Sequence, residues 1–258
     1  AFIEAHRDGP FFVYLAHNTP HIPYDAQRPR IDNNAGAFEP IYAGVIETLD
    51  DSVGRLMAKL DSLKLADKTI VVFTSDNGGL HVPEGPHPKI THNTPYRAGK
   101  GFVYQGGLRI PLIVRWPGRV PAGKVTDEPI VNTDWVPTLL DLAGQPVPAG
   151  LDGVSDAALL TGRGPAPARQ FFWHFPHNYG SEPYSVIREG DWKLIYWYLD
   201  GKMELYNIPD DISESIDLAS LKPEITGRLA KKLGNYLKSV GSKTPVDKVT
   251  NTARPFPG

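Results

Sequence analysis

Two short, wholly apolar runs, FFVYL (11–15) and TIVVF (69–73), flank a long stretch with helical periodicity, and this arrangement constrains the fold more than any other feature. Between Glu39 and Leu65 the residues Ile41, Val45, Leu49, Val53, Leu56, Leu60 and Leu63 recur in steps of three or four, which gathers them on one helical face. A continuous apolar run suits a strand buried on both faces. Strand, helix and strand in that order predict a βαβ unit, with parallel strands and a right-handed crossover. IPLIVRW (110–116) predicts a third buried strand of the same kind. Thr133 or Asp134 predicts a cap for a short helix through DWVPTLLDLAG, which Gly144 ends.

The periodicity then changes. Residues 144–168 mix Gly, Pro and Ala and read as a wrapping connection. Beyond them, YSVIREGDWKLIYWYLDGKMELYNI holds three strand-like runs joined by turn signals at Glu189-Gly190-Asp191 and Asp200-Gly201, the pattern of an antiparallel meander. Pro223 opens a helix carrying Ile225, Leu229, Leu233 and Leu237 on one face. The expected class is α/β: a parallel-sheet core over residues 1–145, then a connection and a smaller C-terminal antiparallel sheet with a closing helix over 146–258.

Composition narrows the partners. A formal net charge of -2 without a run of one sign gives no basis for binding nucleic acid or an anionic membrane surface. No apolar stretch approaches the roughly 20 residues needed to span a bilayer. The chain has no cysteine, which removes disulfides, thiolate metal sites and a cysteine nucleophile from these 258 residues.

The chemistry-bearing residues cluster at the ends of the predicted strands, where open α/β sheets bind ligands. FTSDNGG (73–79) follows the second run. Asp76 and Asn77 offer hard oxygens suited to Ca²⁺ or Mg²⁺, although Asp-Asn-Gly also forms an Asx-type turn readily. LAHNTPHIP places His17 and His21 just past the first run, and the flanking prolines stiffen the chain around His21. PYRAGKGFVYQGGLRIP (95–111) carries Arg97 and Lys100 among glycines that let an ammonium approach an oxyanion, or leave a solvated basic loop. His81, His87 and His92 form a loose cluster whose spacing matches no short zinc motif. FWHFPHNYG (172–180) is an aromatic patch with His174 and His177, suited to a core edge or to the wall of a sugar- or aryl-binding cleft.

Together, PHIP, SDNGG, GKG ahead of QGGLRIPLIVRWPG, FWHFPH and REGDWKLI resemble, in order and spacing, the C-terminal half of the sulfatase family, within the alkaline-phosphatase superfamily. The resemblance implies a metal-dependent hydrolase of sulfate or phosphate esters, small or glycan-borne, with periplasmic or secreted relatives. It implies Asp76 and Asn77 as two ligands of Ca²⁺, and His21 and Lys100 as catalytic groups facing the ester. His17, Arg97 and His177 become candidate substrate contacts. In such enzymes a hydrated formylglycine, made from the first residue of [CS]-x-P-x-R, attacks sulfur while cation and basic side chains hold the developing charge.

This sequence departs from that pattern. Its only Ser-x-Pro, at Ser181-Glu182-Pro183, is followed by Tyr184 and Ser185 where the motif needs Arg at the fifth place, and Gln105 stands where many relatives have Glu. The family's early acidic pair and its Lys-x-His are not found either. The chain opens AFIEAHRDGP, without Met or a signal pattern, as though inside a domain. The expectation is a truncated sulfatase core that pairs with a companion N-terminal fragment or forms a homo-oligomer. Two other readings stay open: metal-assisted hydrolysis of phosphoesters, phosphotriesters included, with Zn²⁺ or Mn²⁺ replacing Ca²⁺, or a fragment that turns nothing over.

Overall fold

The computed structural model describes residues 1–85 and 89–258. In chain order the first elements are α1 (Phe2–Ala5), α2 (Arg28–Asn33), α3 (Pro40–Ser62), β1 (Val71–Thr74), α4 (Gln105–Leu108) and β2 (Leu112–Arg115). They are followed by α5 (Trp135–Leu142), α6 (Ala157–Leu160), β3 (Gln170–Phe175), β4 (Tyr184–Glu189), β5 (Trp192–Trp197), β6 (Met203–Asn207) and α7 (Pro223–Ser239). These elements form two compact units: Ala1–Thr74, Pro83–Ile90 and Pro111–Ala166 in the first, Ser75–Val82, Thr91–Ile110 and Pro167–Gly258 in the second.

In the first unit α3 is the 23-residue helix that the periodicity predicts, entered through Pro40 in its first turn and burying Val45 and Leu60. Helix α2 packs on it, and the Arg30 guanidinium pairs with Asp51 and, at 3.6 Å, with Glu47. The loop into α5 is held by Asp134, fully buried, whose carboxylate accepts the backbone N–H of Val131 at 2.8 Å and of Val154 at 3.1 Å. The predicted Asp134 cap therefore works one turn early, on a short 3₁₀ turn over Asn132–Asp134 that leads into the helix.

The class expected from the sequence is the one observed, but the strand pairing of the first unit differs. FFVYL forms no strand, and Phe12 and Tyr14 are 74% and 82% exposed. β1 and β2 pair with each other instead, antiparallel, from Val71 opposite Arg115 to Thr74 opposite Leu112. Apolar composition marks a segment as able to lie in a sheet without selecting its neighbour or direction. A strand needs a second backbone to hydrogen-bond, and in the first unit TIVVF finds one in LIVR.

The second unit is built on one antiparallel sheet in the order β3-β4-β5-β6. Alternation along the strands sends Ile187, Leu194, Tyr196 and Leu205 to one face, where α7 lays Leu229, Leu233 and Leu237 against them. Val186, Ile195, Trp197 and Tyr206 point to the other face, which the segment around Val103 and Tyr104 covers. With both faces covered, the buried positions of these strands are mostly apolar, and the buried polar ones include Ser185, Lys193 and Glu204. The aromatic patch supplies β3 itself, with Phe172 stacked on Tyr236 of α7 at a ring separation of 3.7 Å.

Leu233 is fully buried, so Leu233→Ala should cost about 2–5 kcal/mol in urea unfolding. Glu189 ties the sheet to α7 through Arg228 and Lys232 and accepts a hydrogen bond from Gln170 Nε2 at 2.6 Å. Burial pushes the Glu189 carboxyl up, but these donors outweigh it and hold it at about 2. The resulting stabilisation is present above the ordinary glutamate value, about 4.3, and is lost as pH falls from there toward the folded value. Glu189→Gln should flatten the fall of unfolding free energy across that acid window, and an unchanged slope would contradict the linkage.

Candidate functional site

The corner after β1 is shaped by glycine. A Cβ built on Gly78 would lie 1.7 Å from the carbonyl oxygen of Gly106, and one on Gly99 would lie 2.2 Å from that of Gly79. Only bare backbone permits these approaches, and they let Gly78 N–H donate to Gly107 O at 3.0 Å and Lys100 N–H to Gly79 O at 3.0 Å. Asn93 finishes the junction, accepting from Gly79 N–H at 3.1 Å and donating to Gly79 O at 2.9 Å and Ala98 O at 3.0 Å. SDNGG, AGKG and the QGG that opens α4 are thus locked into one backbone cluster.

That cluster ties the backbone just after Asp76 and Asn77 to the backbone of Lys100. Asp76 Oδ1 accepts its neighbour's backbone N–H at 3.0 Å, and Asn77 Nδ2 donates to Gly78 O at 2.9 Å. The turn chemistry weighed from the sequence is therefore present. Among the described residues no hydrogen bond reaches Asp76 Oδ2 or Asn77 Oδ1, so the turn uses one oxygen and one nitrogen and leaves a carboxylate and an amide oxygen for a hard cation. This donor set fits Ca²⁺ or Mg²⁺ as a partial shell, because Ca²⁺ takes roughly six to eight oxygens. Among the described residues no three His, Asp or Glu side chains converge as a metal site.

The other candidate residues sit as follows. His17 and His21 belong to the first unit and are exposed; His21 Nδ1 lies 2.8 Å from Ile22 O. His177 is exposed beyond β3, edge-on to the Phe175 ring with centroids 5.6 Å apart. Arg97 is an anchor within the second unit. Its guanidinium stacks 3.7 Å above the Tyr104 ring and donates to Glu214 O at 2.9 Å and to Tyr206 Oη at 3.3 Å. His81 packs edge-on against Phe102 and His92 is exposed, while His87 lies outside the described residues.

Beneath the loop cluster runs a buried ionic network that no short sequence motif marks. Lys193 Nζ, fully enclosed, donates to Val103 O at 2.7 Å and to Glu214 Oε1 at 2.6 Å, while Glu214 Oε2 accepts the backbone N–H of Gln105. Burial pulls the Lys193 ammonium below its ordinary range, against the opposing pull of Glu214. Glu204 is also buried; burial raises its carboxyl, and donation from Lys202, Tyr206 and Tyr104 brings it below the usual range. A signal for Lys193 was available: it shares strand parity with Ile195 and Trp197 and so faces inward.

The fold is that of the alkaline-phosphatase-like α/β class. The family profile of the sulfatases matches residues 1–145, and that of the N-sulphoglucosamine sulphohydrolase C-terminal region matches residues 98–240. The chain belongs to the sulfatase family. It is 34% identical to a sulfatase of Formosa agariphila across 90% of this chain, and 32% identical to the N-acetylgalactosamine-6-O-sulfatase of Bacteroides thetaiotaomicron across 90%. The solved structure of Ps i-CgsB in complex with k-i-k-neocarrahexaose superposes with a TM-score of 0.80 at 30% identity, covering 91% of this chain. The chain spans about half the length of these relatives: 46%, 48% and 52% respectively.

Because the added methyl at Gly78 would meet a backbone carbonyl and not a yielding side chain, Gly78→Ala should destabilise the second unit. The expected loss is about 1–3 kcal/mol, measured by thermal unfolding followed by circular dichroism.

Proposed function

We propose that these residues form part of a divalent-metal-dependent sulfatase acting on sulfate esters, with sulfated glycans as the favoured substrate class. The observation that supports the reading is the glycine-locked corner, which ties the backbone that follows Asp76 and Asn77 to that of Lys100. Family membership supports the reaction class, and relatives named for N-acetylgalactosamine 6-sulfate and crystallised with a neocarrahexaose support the glycan. In this reading Asp76 and Asn77 hold the cation through Oδ2 and Oδ1. The cation, when bound, supplies positive charge to the ester oxygens. Lys100 holds a sulfate oxygen by its ammonium, and His21 donates a proton to the leaving oxygen. His17 and His177 bind the rest of the substrate. Arg97 serves it indirectly, by fixing the loop that carries Lys100.

Attack at sulfur needs a nucleophile outside this assigned set. The reading therefore confines the assigned residues to cation binding, ester binding and leaving-group stabilisation. The test is hydrolysis of 4-nitrophenyl sulfate by the purified protein, with phosphate mono-, di- and triesters in parallel and bound metal measured in each preparation. Lys100→Ala should lower kcat by about 10²–10³, the usual loss for one preorganised donor. Asp76→Ala should lose the bound metal and chelator-sensitive turnover together, and turnover indifferent to Asp76→Ala would refute the site.

A further inference from the structure

Asn93 lies outside both SDNGG and AGKG, yet its carboxamide is bonded to both segments. Its Oδ1 accepts the Gly79 N–H at 3.1 Å, and its Nδ2 donates to Gly79 O at 2.9 Å and to Ala98 O at 3.0 Å. Gly79 stands two residues past Asn77, and Ala98 two residues ahead of Lys100. An asparagine amide has two N–H donors, and here one goes to each segment.

The fit around this amide is close on both sides. A Cβ on Gly79 would lie 2.9 Å from Asn93 Oδ1, and one on Gly99 would lie 2.6 Å from Nδ2. Beside these contacts Ala98 keeps a left-handed backbone, φ 61°, which a residue with a Cβ holds only where its surroundings fix it. The bond from Asn93 to the Ala98 carbonyl restrains the peptide that leads into Gly99 and Lys100. Glycine on both sides of Lys100 supplies no restraint of its own, so the register of that loop rests on Asn93 and on the Lys100 N–H bond to Gly79 O at 3.0 Å.

We propose that Asn93 is a positioning residue, which fixes the Lys100 loop against the Asp76–Asn77 corner so that a cation at the corner and an oxyanion at Lys100 strengthen each other's binding. The proposal rests on the function proposed above, which assigns the cation to the corner and the ester oxygen to Lys100. Asn93 acts through the backbone of Lys100 and not on the ester. Coupling of this kind is reciprocal: sulfate should tighten the cation by the factor by which the cation tightens sulfate.

The experiment is calorimetric titration of the purified protein with Ca²⁺, in the presence and absence of inorganic sulfate. The ratio of the two Ca²⁺ dissociation constants should be about tenfold in the wild type, within the usual span of coupling between sites. Asn93→Ala should bring that ratio to about one, as should Lys100→Ala, and the double variant should show no further change. A purely structural role would weaken Ca²⁺ equally with and without sulfate and leave the ratio intact. Asn93→Ser is the milder variant, since a single hydroxyl cannot span Gly79 and Ala98, and it should lose the ratio too. A wild type that binds no Ca²⁺, or binds it as well after Asp76→Ala, would overturn the site reading and this proposal together. Ca²⁺ binding that depends on Asp76 but is indifferent to sulfate would overturn this proposal alone. So would coupling that survives in Asn93→Ala and Asn93→Ser, or failure of both variants to fold.

Discussion

The second unit depends on one ammonium group taken out of water. Lys193 stands on the central strand β5 with its side chain beneath the sheet, and it is tolerable there only because Glu214 and the Val103 carbonyl supply acceptors within 2.7 Å. Removing either partner of such a pair leaves a bare buried charge, a loss of about 3–5 kcal/mol. The pair therefore couples three separate stretches of chain: β5, the loop ahead of α4, and the turn at Glu214. Glu214 itself takes a left-handed backbone at φ 51°, which a non-glycine residue accepts where surrounding contacts demand it.

Everything nearer the candidate site rests on that anchor. Once Val103 and Gln105 are pinned, the glycines at 106 and 107 present bare backbone, and the SDNGG corner packs onto it at distances no Cβ would permit. Arg97 closes the same loop from the other end through Tyr104, Tyr206 and Glu214. Lys100 lies between these two fixed points. In the proposed function, the side-chain oxygens of Asp76 and Asn77 and the Lys100 ammonium, carried on such a frame, would need little reorganisation on meeting charged ligands, which is the condition for electrostatic catalysis.

A cleft of about 270 Å³ in the second unit, lined by Phe102, Glu182, Trp197, Asp200, Lys202 and Glu204, opens on the same sheet face as Lys193 but differs in character from the Lys100 loop. Lys100 offers positive charge, whereas the wall around Trp197 carries an excess of carboxylate, with Glu204 held in its ionised form by three donors.

Much of this was legible in the chain itself. The 3.6-residue period of α3 and α7 and the two-residue period of β4 to β6 follow from geometry local to each segment, and so appear in sequence. Glycine at 78, 99, 106 and 107 and the Asp-Asn pair were visible as residue types, and the family resemblance followed from their order. Tertiary structure decided what depends on contacts between distant segments. It paired TIVVF antiparallel with LIVR and left FFVYL without a strand, because strand pairing is a choice between backbones and apolar composition alone does not make it. It also turned Arg97 into an anchor and joined Lys193 to Glu214, since the cost of burying a charge is set by the partner the fold brings to it and not by the residues beside it in sequence.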